Sequence, residues 1–84
     1  MILLQKLKAL EKQIVFLRWA TGESFGKIQY VGNDFIEFIS IDNDHKYSET
    51  ILLRPSLILE VTYGGTNIGK LVAEISHNLI APEN

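Results

Sequence analysis

The chain has 84 residues, 46% of them apolar, no cysteine and a formal net charge of −2. This length allows one small domain, residues 1–84, and the lack of cysteine excludes a disulfide framework and a thiolate metal site. The mild acidity weighs against a nucleic-acid partner, and so much apolar surface in so short a chain predicts association between copies.

The first predicted element is an amphipathic helix over residues 2–13. Its apolar stripe has members three or four residues apart: Leu3, Leu7, Leu10 and Ile14. Lys8 and Lys12 are four residues apart, so we expect both on the opposite face of the helix. Charges interrupt the apolar runs too early for a secretory leader or a membrane span, which predicts a cytoplasmic protein with no membrane partner.

Residues 14–63 predict five short strands. β-branched and aromatic residues dominate the segments IVFLRWAT, FGKIQYV, FIEFISID, YSETILLR and LILEVTY. The segments TGES, GND and NDHK are typical turns between the first four strands. Gly26, inside the second strand, predicts a strong bend or a close backbone approach. Five bent strands in about 50 residues favour a small antiparallel barrel, hence a mainly β fold.

Arg54-Pro55-Ser56 separates the fourth strand from the fifth. Pro55 has no N–H to donate to a strand ladder, so it ends one strand rather than continuing it. We therefore expect a corner that presents Arg54.

A second helix is predicted over residues 66–80, after Gly64 and Gly65 break the sheet. Thr66 or Asn67 can cap this helix. Its apolar face is expected to carry Ile68, Leu71, Val72, Ile75 and Leu79.

The order of elements and two sequence signatures resemble the Sm-like family, which includes the eukaryotic LSm proteins and bacterial Hfq. The resemblance is strongest to small Sm-like proteins of phage and marine metagenomic type. "LLRPSLILEV" is similar to the second signature, with Arg54 and Ser56 kept and Pro55 in place of a glycine. "GKIQYVGNDFIEF" is similar to the first signature in Gly26 and Asp34, although the aspartate lies two residues late and no Met-Asn pair follows.

The resemblance implies an Sm-like barrel that assembles into a homo-oligomeric ring, the fourth strand of one copy pairing with the fifth strand of the next. It implies that Asn33, Asp34 and Phe35 and the corner of Arg54 and Ser56 line a pore that binds single-stranded RNA or DNA. Asp34 is then expected to hold the arginine loop.

Each candidate also has a plainer interpretation. Arg54 is either a base or phosphate contact or a surface guanidinium paired with Asp34 or Glu60. Phe35 stacks on a base or belongs to the core, while Asn33 and Asp34 are common turn residues.

Lys8 and Lys12 contact phosphate or are simply solvated. They belong to a basic segment: residues 1–20 carry four basic residues against one acidic residue, a balance of +3. Residues 21–84 carry four basic residues against nine acidic residues, a balance of −5.

No motif predicts an enzyme, a cofactor, a metal or a small-molecule substrate. "DNDH", residues 42–45, lacks the glycine and the distal glutamate of a calcium loop. Two other functions stay open: a structural or protein-interaction ring, as in phage assembly, and a Tudor-type peptide-binding barrel. The last would need Tyr30, Tyr47 and Tyr63 to form an exposed aromatic cluster.

Overall fold

The computed structural model describes residues 3–80, so the ends of the predicted domain, residues 1–2 and 81–84, lie outside the described residues. The elements are α1 (Leu3–Ala9), β1 (Ile14–Trp19), β2 (Gly22–Val31), β3 (Ile36–Ile41), β4 (Tyr47–Leu53), β5 (Ile58–Thr62) and α2 (Gly65–Ile80), with a short 3-10 turn at Pro55–Leu57. The predicted mainly β fold, with a helix before and a helix after five strands, is confirmed.

The strands form one antiparallel sheet in the order β4-β3-β2-β1-β5. β4 and β5 are consecutive in the chain, yet they lie at the two opposite edges of the sheet. Because only residues 54–57 connect them, the sheet must curl until its edges approach each other. Register shifts in the β1–β5, β2–β3 and β3–β4 pairings increase this bend. The result is a small barrel whose last pair of edges has no ladder.

Gly26 is the residue that permits the close approach inside the barrel. A Cβ at this position would lie 2.8 Å from Cε2 of Phe38 and closer still to the carbonyl oxygen of Ile39. Neither a backbone oxygen nor a fully buried ring can move aside cheaply. The predicted close backbone approach at Gly26 is therefore confirmed.

The core lies inside the barrel and is closed by α1. Its buried side chains are Leu7, Leu10, Val15, Leu17, Ile28, Val31, Ile36, Phe38, Leu53 and Ile58. α2 packs elsewhere: Ile68 and Ile75 are buried outside this cluster, and α2 lines cavities together with Phe16 and Phe25 of the neighbouring strands. The sheet therefore has apolar partners on both faces.

α1 is shorter than predicted, because it ends at Ala9 rather than at residue 13. Lys12 has a left-handed backbone with φ of 70°, and its N–H donates to the carbonyl of Ile28 at 2.6 Å. The carbonyl of Gln13 in turn accepts from the N–H of Ile28 at 3.1 Å. These bonds to β2 draw the chain out of the helix, so the prediction that Lys8 and Lys12 share a helical face is wrong.

Two further boundaries differ. The first hairpin turns at residues 20–21 rather than within Thr21–Ser24, because Trp19 pairs with Gly22 and the indole covers that glycine. α2 begins at Gly65, one residue early, so neither Thr66 nor Asn67 precedes it as a cap. On its predicted apolar face Val72 is 38% exposed, and the side chain of Leu79 lies outside what the structure describes.

Candidate functional site

The end of the β3–β4 ladder brings together the two segments that the sequence singled out. Ile36 of β3 pairs with Leu53 of β4, and both side chains are buried. The position that continues this register places Phe35 opposite Arg54. The turn at residues 32–35 and the corner at residues 54–57 therefore lie at the same end of the β3–β4 ladder.

The corner has the predicted form. Arg54 is extended, with φ of −77° and ψ of 136°, and Pro55 opens the 3-10 turn, which the bond from the N–H of Leu57 to the carbonyl of Arg54 closes at 3.0 Å. Ser56 lies exposed within this turn. Because Pro55 needs no hydrogen-bond acceptor, the chain turns here without leaving a buried donor unpaired.

The Arg54 side chain is exposed and makes no hydrogen bond or ion pair with the residues that the structure describes. Glu60, one of its two expected partners, instead bonds to Arg18, its neighbour across β1 and β5. The other, Asp34, is exposed and forms no ion pair with Arg54. The expectation that Asp34 holds the arginine loop is therefore wrong for this chain, and the guanidinium is left available.

Asn33 and Asp34 form the exposed tip of the turn between β2 and β3. This turn is closed by a hydrogen bond from the N–H of Gly32 to the carbonyl of Phe35, at 2.8 Å. Phe35 is 39% exposed, so it is not a core residue. Its ring packs against Tyr30, with the ring centroids 5.7 Å apart and the planes 45° apart.

Tyr30 lies at this site, although the sequence had suggested it only for the aromatic cluster of a Tudor-type barrel. Strict alternation from the buried Ile28 would direct Tyr30 into the core, but the register shifts between Ile28 and Tyr30. The extra residue turns Tyr30 outward, where it is 48% exposed. Gly32 makes room for the ring, since a Cβ there would lie 3.1 Å from Cε2 of Tyr30. The only sequence signal for this placement is Gly32, two residues after Tyr30, because a glycine leaves room for a neighbouring ring.

The two lysines are placed differently. Nζ of Lys8 donates to the carbonyl of Val31 at 3.4 Å. The N–H of Val31 donates to a carboxylate oxygen of Glu11 at 2.8 Å. Lys8 therefore lies beside the base of the turn that carries Phe35. Lys12 is exposed and is attached through its backbone to Ile28, three residues before Val31 on β2.

At the other end of the β3–β4 ladder, the Asp42–Lys46 segment forms a polar hairpin turn. One carboxylate oxygen of Asp42 accepts from the N–H groups of Asp44 and Lys46, at 2.9 and 3.1 Å. That carboxylate therefore organises the backbone of the turn. Among the side chains that the structure describes, those of residues 3–76, no three from histidine, cysteine, aspartate or glutamate lie close enough to hold a metal ion.

The two edges of the sheet expose apolar side chains. Leu52 on β4 is 65% exposed and Leu59 on β5 is 67% exposed. Beside β5, a groove of about 250 Å³ runs along α1 between Leu3, Lys6 and Tyr63. The ammonium of Lys6 lies 4.7 Å from the centroid of the Tyr63 ring and forms one side of this groove. Edges with free N–H and C=O groups and exposed leucines are suited to pairing with another strand.

Comparisons of the chain with protein-family models, with curated proteins and with solved structures found no match. No helix in the described part of the chain is long and apolar enough to cross a membrane.

Proposed function

We propose that this chain is an Sm-like protein that forms a homo-oligomeric ring and binds single-stranded RNA, or single-stranded DNA, in the cytoplasm. The observation that carries the proposal is that Phe35 and Arg54 adjoin the same end of the β3–β4 ladder. Both side chains are exposed, and the guanidinium has no partner among the described residues. No enzymatic activity, cofactor or metal is part of it.

The chemistry of these two side chains suits an unpaired nucleotide. Single-stranded nucleic acids are bound by stacking bases on aromatic rings and on guanidinium planes, at about 1–3 kcal/mol per base. Arg54 can also pair with a phosphate, since a guanidinium matches phosphate geometry. Asn33, Asp34 and Ser56 supply polar atoms around the same position, and Lys8 supplies a cation at the base of the turn.

The ring is supported by the two unpaired edges. β4 and β5 are the edges of a barrel that they do not close, so β4 of one copy can pair with β5 of the next. Such an interface uses different surfaces on its two sides, and a ring results when the rotation between copies closes. Leu52 and Leu59 would become buried in it.

A ring would present one Phe35 and one Arg54 per protomer around the same axis. Contacts that are weak singly then act together along one strand, which raises overall affinity without any new contact. The repeated contacts offset the electrostatic repulsion between the nucleic acid and the net negative charge of residues 21–84.

The test has two measurements on the wild-type protein. Light scattering at micromolar concentration is expected to give a mass of several protomers. Fluorescence anisotropy with labelled poly-U and poly-A is expected to show binding that weakens as salt rises. A monomeric mass would contradict the ring, and absence of binding at low salt would contradict the nucleic-acid function.

A second function is favoured by the exposed leucines at the edges. Leu52 and Leu59 are the large apolar side chains with the greatest exposure among the described residues. Together with the acidic balance, they support a structural or protein-interaction ring, for example one used in phage assembly. A stable ring that binds no nucleic acid at low salt would establish this alternative.

A further inference from the structure

Tyr30 and Phe35 form an exposed aromatic pair next to the proposed base position. The two rings are 48% and 39% exposed, and their planes are tilted 45° relative to each other. Both side chains therefore keep a large part of their surface in solvent. Two exposed rings that are tilted relative to each other suit two bases that are splayed apart rather than one base.

The strand pairings order these residues into a row. Arg54 continues the register opposite Phe35, and the N–H of Gly32 bonds to the carbonyl of Phe35 on the other side. The Tyr30 ring passes over Gly32 to reach Phe35. The row therefore runs across the strands, from Arg54 after β4 through Phe35 before β3 to Tyr30 on β2.

A carboxylate lies beside the far end of this row. Glu37 of β3 is the register partner of Tyr30 across β2 and β3. Both are outward positions, since the next pair, Val31 and Ile36, points into the core. Directly opposed side chains on one face have Cβ atoms about 4.5–5.5 Å apart. A base stacked on Tyr30 therefore has its edge within reach of Glu37.

We infer that Tyr30 and Glu37 form a second base position in each protomer, and that this position takes a base carrying an amino group, such as adenine or cytosine, in preference to uracil. The inference rests on the proposed nucleic-acid function. A carboxylate only accepts hydrogen bonds, and it pairs well with an exocyclic amino group. Uracil instead presents its one ring N–H between two carbonyl oxygens, which the carboxylate repels.

The first experiment separates stacking from packing at Tyr30. Anisotropy with labelled oligo-A compares the wild type with three variants: Tyr30→Phe, Tyr30→Leu and Tyr30→Ala. Tyr30→Phe is expected to bind like the wild type, and the other two are expected to bind about tenfold more weakly. Tyr47→Ala, at the opposite end of the β3–β4 ladder, is the control and should bind like the wild type.

Equal binding by Tyr30→Leu and Tyr30→Phe would overturn the second position, because leucine preserves an apolar neighbour for Phe35 but has no flat ring. Photo-crosslinking gives an independent readout: oligonucleotides carrying a photoreactive cytosine, which keeps the exocyclic amino group, should label Tyr30 as well as Phe35. Labelling of Phe35 alone would also overturn it while leaving the proposed function intact.

The second experiment measures the ratio of oligo-A to oligo-U affinity, which cancels the general effect of removing a negative charge. Glu37→Gln is expected to reduce this ratio to near one, because an amide both donates and accepts. Glu49→Gln, an exposed carboxylate on β4, should leave the ratio unchanged. A wild-type ratio of one would overturn the base preference, and no binding to either oligonucleotide would overturn the proposed function itself.

Discussion

Phe35 and Arg54 directly adjoin the last pair of the β3–β4 ladder, Ile36 and Leu53, on the same side of that pair. The last pair is buried, whereas Phe35 and Arg54 are exposed. An aromatic ring and a guanidinium therefore lie at the same end of the ladder, and neither side chain belongs to the core. This placement, and the packing around it, can be tested by five sets of variants.

Replacing Arg54 tests the proposed base or phosphate contact. Arg54→Ala should lower affinity for single-stranded RNA by well over tenfold, because the binding free energy falls by about 1–3 kcal/mol at each protomer of a ring. Arg54→Lys should recover little of it, since an ammonium has the charge but not the plane. Lys46→Ala removes the same charge at the opposite end of the ladder and is the control in anisotropy titrations. If Arg54→Ala and Lys46→Ala lower the affinity equally, Arg54 contributes only its positive charge and makes no specific contact.

The lysines near the first helix test phosphate binding. The double variant Lys8→Ala with Lys12→Ala should weaken binding mildly and flatten its salt dependence, by about 0.7 in the logarithmic slope for each phosphate that is no longer neutralised. The double variant Lys46→Ala with Lys70→Ala has the same net charge. Its salt dependence should stay steeper than that of the Lys8→Ala, Lys12→Ala variant. If both double variants give the same slope, Lys8 and Lys12 are ordinary solvated residues.

Charges placed at the sheet edges test the ring. Leu52→Glu or Leu59→Glu would bury a carboxylate in the proposed β4–β5 contact, and each should lower the mass measured by light scattering. Val72→Glu introduces the same charge at an exposed apolar residue of α2 and should leave the mass unchanged. An unaltered mass in both edge variants would mean that the copies associate through another surface.

Gly26 tests the close approach that bends the barrel. Gly26→Ala should lower the free energy of unfolding by about 2 kcal/mol or more, because the new Cβ meets the Phe38 ring and the Ile39 carbonyl. Gly69→Ala meets no atom within 4 Å and should stabilise α2 by up to about 1 kcal/mol. Urea denaturation compares the two alanines directly, and a neutral Gly26→Ala would contradict the close approach.

The buried face of α2 tests how firmly that helix is packed on the sheet. Ile75 is 3% exposed, so Ile75→Ala should cost about 2 kcal/mol in the free energy of unfolding. Val72→Ala, on a side chain that is 38% exposed, should cost far less. Equal and small effects in urea denaturation would show that α2 adds little to the stability of the barrel.

The order of the elements and the position of the corner follow from local patterns in the chain. Apolar spacing distinguishes a helix from a strand without reference to distant residues. Pro55 ends β4 because it has no N–H, and that property is local. Gly26 is similar: a glycine inside an apolar strand already indicates that another group approaches closely.

Which side chains are exposed and unpaired at the candidate site depends instead on how distant segments pair in the folded chain. Arg18 rather than Arg54 pairs with Glu60, because the β1–β5 register sets that choice across 42 residues of chain. Lys12 leaves its helix because Ile28 offers backbone partners on β2. Tyr30 points outward because one extra residue in β2 reverses the alternation that would otherwise bury it. Strand register and bulges arise only when strands meet, so a local pattern cannot specify which face a residue takes.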